Sequence, residues 1–498
     1  MGSVLAGTAL LTAVGLFSQA VGFGYRIALS RLIGAQAMGL YQLVMPVYAL
    51  LVSLTASGLT VAVAAQSARR HALGDLGGVR LTLRRALECF FLLALPLLAL
   101  AVAASDPISV YLLGDARTRL AIVLLAPCAL LTGVENLHKH CFYGMGLVRP
   151  PAASETAEQL VRAGAVLALL ALLPARTLEG RVGTVALGMV VCEICSAVTL
   201  TALLRRYWRS NPPGPARRPV SRRRLLAAAL PVGCTSVLGT LLGAANAALI
   251  PARLVAGGAD PARAMEEFGV LCGMTLPMLA LPTGFIGALC LVMVPGLARG
   301  CARGDGRAAG AVLDRALSAT SLLMAPAMAL LAVAGPTVGA ALFRDGRVGA
   351  HILPLAAGTL LGCYQSVLGG ALNGMGLQGR GARNAIAADA VQLLCTWALV
   401  PGWGLGGFVA GFALSGLAGA GLNLASVLRA AKLTPRWFEW FVRPALSAVF
   451  MALWCALFFR AALDAGCPAG WGCALCALLG LALYAAALAA QGGVRRRG

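Results

Sequence analysis

The feature that most limits what this chain can become is the recurrence, from one end to the other, of apolar runs about 20 residues long. A run of that length crosses the hydrocarbon of a bilayer as a helix, because there every backbone N–H and C=O must be bonded within the segment. Barrel strands would be about half as long and would alternate polar with apolar residues. These runs do not alternate. With 59% apolar and only 12% charged residues in 498, too little charge remains to clothe a soluble surface. The expectation is an all-α membrane protein. The first apolar stretch has no basic n-region and runs on into Arg26 and Arg31 without a cleavage-like site, so it reads as a retained helix.

Breaks at Pro, Gly and charged residues divide the chain into about 14 spans: 4–26, 38–65, 87–104, 119–137, 157–173, 183–204, 225–250, 268–296, 316–341, 351–371, 386–401, 404–428, 444–463 and 471–490. The net charge of +22 is not a nucleic-acid signal, since its arginines sit in short loops between apolar runs. With the N-terminus inside, alternate loops collect 28 of the 40 basic residues, which fits both termini on the cytoplasmic side of a bacterial cell membrane. Most of the 15 cysteines fall within apolar runs, where Cys acts as a small hydrophobe. Neither Cys192/Cys195 nor Cys473/Cys476 has a second ligand pair, and His138 and His140 have no further ligands nearby. No metal or cofactor is expected.

An internal repeat organises the spans. "GMGLVRPPAASETAEQLV" from Gly144 returns as "GMGLQGRGARNAIAADAV" from Gly374, an offset of 230, and the same offset aligns "SAR" ending at Arg69 with "LAR" ending at Arg299. Six helices separate the copies, so both have one membrane orientation and relate by an axis near the membrane normal. The expected division is an N-terminal lobe at 1–204 (helices 1–6), a basic linker at 205–224, a C-terminal lobe at 225–428 (helices 7–12), and helices 13 and 14 with a basic tail at 429–498.

The stretch from Tyr25 to Arg69, "YRIALSRLIGAQAMGLYQLVMPVYALLVSLTASGLTVAVAAQSAR", resembles the stage V sporulation protein B group of oligosaccharide flippases. These are relatives of the lipid II flippase within the multidrug/oligosaccharidyl-lipid/polysaccharide (MOP) exporter superfamily. "LPVGCTSVLGTLLGAANAALIPARL" in helix 7, "GVLCGMTLPMLALPTGFIGALCLVMVPGLAR" in helix 8, "CEICS" in helix 6 and the "GMGL" turns extend the likeness over the chain. The resemblance implies two bundles forming a V around a central cavity that opens alternately to each side. It implies a polyprenyl-pyrophosphate-linked sugar as the transported class. Where it implies an acid in helix 7 and a lysine in helix 11, this chain has Asn246 and Gln392.

An ion inside a bilayer costs a few kcal/mol at least, so intramembrane charges are functional candidates. Arg26 ends a stripe of small and polar residues, Thr8, Thr12, Gly15, Gln19 and Gly22, at helical spacing. It either lines the cavity, where its planar fork suits a pyrophosphate, or snorkels at the external end of helix 1. Gln19, Ser53, Ser57 and Thr60 are further cavity candidates, although serines and threonines also bond back to their own helix. Glu193 and Asp389 are candidate proton or cation sites; Glu193 would equally serve as partner to an arginine on another helix. Glu158 and Arg162 read as an ordinary helix-surface pair, and Glu135, whose repeat partner is Gln365, as a structural contact. Arg253 reads as interfacial. Pro46, Pro231, Pro277, Pro282 and Pro326 fall within spans, with Pro277 and Pro282 the candidate hinge.

With these residues, the resemblance implies a flippase that moves a lipid-linked oligosaccharide or peptidoglycan precursor in sporulation, cell-wall or capsule synthesis. Its partners would be the lipid-linked sugar, membrane lipids and a coupling cation, Na+ or H+. The competing reading is a cation-coupled multidrug exporter on the same scaffold. Four histidines without a nearby acid pair argue against a membrane enzyme.

Overall fold

The computed structural model describes residues 2–217, 221–303, 306–431 and 435–492, with side chains from residue 12 onward and without that of 291. The basic tail from Arg495 to Arg497, Lys432 and the side chain of Thr8 lie outside them. No strand occurs among the described residues. The helices are α1 (Gly2–Val52), α2 (Gly58–Ala72), α3 (Leu76–Ala103), a single turn α4 (Ser105–Pro107), α5 (Arg119–Gly144), α6 (Arg149–Leu172), α7 (Leu178–Ser210), α8 (Arg222–Ala256), α9 (Pro261–Val270), α10 (Leu276–Ala280), α11 (Gly284–Ala302), α12 (Gly306–Phe343), α13 (Ile352–Gly374), α14 (Gln378–Trp403), α15 (Leu405–Ala431), α16 (Arg443–Asp464) and α17 (Ala469–Ala490).

Among the described residues, twelve segments are long and apolar enough to cross a membrane. The first, Thr12–Ala72, is two spans in one, because Gly34 adopts φ 81° and breaks α1. L side chains resist that backbone region, and glycine does not. The second span then passes through a π-helical turn at Ser53–Ser57 into α2. Helix α6 carries Glu155, Glu158 and Arg162 and so misses the apolar criterion, yet its 24 residues reach ~36 Å. Counting both gives the expected fourteen. Leucines such as Leu92, Leu172, Leu230, Leu394 and Leu478 are more than half exposed, as lipid-facing residues must be.

The boundary of helix 1 differs from expectation. The spacing ends it at residue 26, but the helix continues two turns further, to the Gly34 break. Arg181 of α7 closes that end by donating from Nη1 to the carbonyl of Ile33 (3.3 Å). Arg26 therefore lies inside helix 1, not at its end.

The fold divides into two compact units, Met1–Ala252 with Asp260–Gly269, and Arg253–Ala259 with Val270–Gly498. The first takes in most of α8, beyond the linker at which the repeat draws its lobes. Close backbone approach explains this: Gly58 leaves room for the backbone of Ala229, and Ser53 Oγ lies 3.0 Å from Ser236 Oγ. The linker is pinned to the same unit, since Arg222 pairs with Glu88 at 2.6 Å. Arg217 N–H reaches Asp75, which caps α3 through Gly78 N–H. Burial opposes the charge on Asp75, but these amides and the Arg70 guanidinium outweigh it and hold the carboxyl below its usual range.

The repeat is visible in backbone detail within each unit. Both "GMGL" segments close a helix with one turn type: Gly146 (φ 75°) donates to Tyr143 O and Leu147 to Phe142 O, and Gly376 (φ 76°) donates to Asn373 O and Leu377 to Leu372 O. This is a Schellman cap, which needs glycine at its left-handed position and favours an apolar residue after it. A further match at the same offset escaped the sequence reading. Asp115 accepts from the amide and guanidinium of Arg117, and Asp345 does the same with Arg347.

Candidate functional site

Three neighbouring helices of the first unit each bring charge to one place. Glu135 and Lys139 lie one turn apart on α5, Glu158 and Arg162 one turn apart on α6, and Glu193 comes from α7. Spacing of four puts each pair on one helix face. Lys139 Nζ stands 2.5 Å from Glu135 Oε1 and 3.0 Å from Glu158 Oε2. Arg162 Nη2 stands 2.5 Å from Glu158 Oε1 and 3.2 Å from Glu193 Oε1. The result is one chain, Glu135–Lys139–Glu158–Arg162–Glu193, with three acids and two bases. Both ends are closed off, Glu135 being 2% and Glu193 1% exposed. Ions this buried are retained only when paired. Even so, Glu193 Oε2 has no hydrogen-bond partner among the described residues.

The structure thus revises the sequence reading of these residues. Glu158 and Arg162 are not an ordinary surface pair but the middle of a buried chain, and Glu135 is its end. Glu193 does meet an arginine from another helix, Arg162. The chain could have been seen in advance only by asking why three successive spans each carry an acid.

Arg26 is half-buried and makes no ion pair among the described residues. Its helix turns the small face toward α6: Gln159 Oε1 would stand 3.8 Å from a methyl placed on Gly22, one turn before Arg26. Gln19 is half-buried on the same face.

The other sequence candidates are held differently. Ser57 Oγ donates to Ser53 O and Thr60 Oγ1 to Ser57 O, both at 2.7 Å, so these hydroxyls serve the π-helical turn. Asp389 is half-buried in the second unit, with no ion pair among the described residues. Arg253 donates to Trp397 O and lies over its ring at 5.2 Å. Pro46, Pro231 and Pro326 are accommodated within continuous helices. Pro282 sits at a true discontinuity, the three-residue gap between α10 and α11, whereas Pro277 follows the π-helical turn Leu271–Thr275 in a helix that runs on. That gap opens on a recess of about 460 Å3 lined by Thr283, Cys290, Thr359 and Ser366, residues the sequence did not single out.

A repeated bundle of fourteen spans among the described residues defines the class, a multi-pass α-helical membrane protein. Residues 4–300 match the polysaccharide biosynthesis protein family, and the chain belongs to it. It is 22% identical over 396 residues to stage V sporulation protein B of Bacillus subtilis (strain 168), covering 78% of this chain and 76% of that one. Its fold is similar to that of the lipid II flippase MurJ in an inward closed conformation, with TM-score 0.74 and 13% identity over 97% of this chain and 98% of that chain. An inward-facing multidrug resistance MATE family transporter of the MOP superfamily matches with TM-score 0.64 and 14% identity, over 86% of this chain and 100% of that chain.

Proposed function

We propose that this protein is an alternating-access flippase that moves a polyprenyl-pyrophosphate-linked oligosaccharide or peptidoglycan precursor across a bacterial cytoplasmic membrane, with both termini in the cytoplasm. The observation that carries the reading is Arg26, a half-buried arginine on the small face of α1 that meets no carboxylate among the described residues. A guanidinium so placed suits a doubly charged oxyanion. The name of a structural neighbour, a lipid II flippase, supports the same substrate class. Loop charge supports the orientation.

The alternative, a cation-coupled multidrug exporter, is favoured by the MATE likeness. It would need an acid free to meet a cationic drug. In the first unit Glu135, Glu158 and Glu193 are already engaged by Lys139 and Arg162, which leaves Asp389 of the second unit as the acid such a reading would use. Glu193, with one oxygen that no donor reaches among the described residues, is instead where a coupling proton or sodium ion would act. The helix break around Pro282 is where the second half would bend.

The test is transport in liposomes of a lipid-linked sugar and of a cationic drug, side by side. Arg26→Ala should abolish sugar flipping without lowering the amount of protein, and Arg26→Lys should keep part of it. Undiminished flipping by Arg26→Ala would remove the anion site, and drug efflux alone in the wild type would favour the exporter. Orientation is read in intact cells: a cysteine at Ser210 should stay unlabelled by an impermeant thiol reagent.

A further inference from the structure

Outside the ionic chain, α7 presents a second face with a different chemistry. Ile194, Ala197, Val198, Thr201 and Arg205 recur along it at helical spacing, and with Leu131 of α5 they line an open groove of about 690 Å3. The groove changes character along its length. Its inner part is apolar, with Ile194 46% and Val198 62% exposed where a lipid-facing surface is expected. Its outer end, in the last two turns of the helix, carries Arg205, Arg206 and Arg209. All three arginines are exposed, none makes an ion pair among the described residues, and no acid lines the groove. The interior-facing side of the same turns is spent on packing, where Tyr207 and Trp208 rest against the core.

We propose that this groove seats an anionic phospholipid of the surrounding bilayer, with its phosphate on the arginines and an acyl chain along Ile194 and Val198. Charge complementarity selects the occupant. Three unpaired guanidiniums beside an apolar channel match a lipid whose headgroup is negative and whose tail enters the hydrocarbon, and a zwitterionic headgroup leaves them uncompensated. The groove is separate from Arg26 and the ionic chain, so it is a site for a lipid that is not transported.

Native mass spectrometry of the purified full-length protein tests this, with palmitoyl-oleoyl phosphatidylglycerol, the matching phosphatidylcholine and undecaprenyl phosphate titrated separately. The wild type should retain phosphatidylglycerol in preference to phosphatidylcholine. The triple variant Arg205→Gln/Arg206→Gln/Arg209→Gln should bind phosphatidylglycerol about 100-fold more weakly, from about fivefold per arginine. The variant Arg223→Gln/Arg224→Gln, which removes basic residues elsewhere on the linker side, should bind as the wild type does. Val198→Trp fills the groove at an exposed position and leaves the charge intact, so it should also weaken binding. Equal retention by the triple variant, or indifference to Val198→Trp, would overturn the seated lipid in favour of diffuse surface charge. Preference for undecaprenyl phosphate over phosphatidylglycerol would overturn the choice of occupant.

Discussion

The two units place different chemistry at one set of repeat positions. At the offset of 230, Glu135 answers to Gln365, Arg162 to Gln392 and Glu193 to Asn423. The geometry confirms the register. Ser154 Oγ lies 3.3 Å from Ser196 Oγ in the first unit, and their counterparts Asn384 and Ser426 are joined at 3.1 Å in the second. Where the first unit holds a chain of ions, the second holds amides: Asn384 Nδ2 donates to Asn423 Oδ1 at 2.9 Å, and Asn423 Nδ2 to Gln365 O at 3.0 Å. Gln392 donates to Thr396 Oγ1 at 3.3 Å. These amides bond to one another, to backbone and to a hydroxyl without bringing net charge into the hydrocarbon, while the buried Gln392 Oε1 meets no donor among the described residues. The second unit packs at these positions without ions, so the ionic chain is where the two halves differ most.

Removing the middle of the ionic chain should have the largest effect. Arg162→Gln imitates the second unit at one position only, leaving Glu193 buried without its cation and Glu158 with Lys139 alone. The expected loss is about 3–5 kcal/mol of stability, read by thermal unfolding of the full chain in detergent. Gln392→Ala, the matching change in the second unit, should cost about 1 kcal/mol. Adding Glu193→Gln to Arg162→Gln should restore much of the loss, and a double-mutant cycle measures how much. Equal costs in the two units would break the comparison.

Next comes the charge itself. Glu193→Gln alone leaves two acids with two bases, so the protein should fold and remain in the membrane. If the excess acid couples transport, lipid-linked sugar flipping should cease to respond to imposed proton or sodium gradients. A response equal to the wild type would make the chain structural after all.

A smaller effect is expected at the second helix of each repeat. The offset puts Ser53, the start of a π-helical turn, opposite Thr283, where α11 begins after the Pro282 gap. The first unit bends there by an extra residue within a continuous helix, and the second by a real interruption. Pro282→Ala permits the helix to run on, so turnover should fall severalfold while substrate binding holds. Pro277→Ala should do less, since the helix already runs on at Pro277. Unchanged turnover in both would mark the gap as a packing feature.

Much of this was readable in advance, and the rest was not for definite reasons. Spans follow from run length, and "GMGL" is legible because a Schellman cap demands glycine at one position. Two turns of helix 1 were lost because Arg26 and Arg31 look like an end when only polarity is read. The pairing of Glu158 with Lys139 and of Arg162 with Glu193 depends on which helices are neighbours, and spacing within one helix carries no such information. The amide counterparts were visible singly, at Gln365 and Gln392, but they become a pattern only when Asn423 is known to touch Gln365.

The smallest effect should be found at the turns that both units share. Asp345 lies outside the spans, and the hydrogen bonds and charge of Arg347 hold its carboxyl below the usual range despite some burial. A carboxyl with a lowered folded pKa contributes stability at pH values above its unfolded pKa, near 4, and that contribution fades as pH falls through the folded value. Arg347 is nearly half exposed, so the pair is worth less than about 1 kcal/mol. Asp345→Asn should therefore lower the melting temperature slightly at pH 7, and by less as the pH falls below about 4. It should also make the wild type's acid sensitivity in that range shallower. Asp115→Asn, in the matching turn of the first unit, supplies the control. Asp115 is held by the same pattern of bonds, so it should lose as little. A loss of several kcal/mol at either turn would show that these caps, and not the ionic chain, set the difference between the two halves.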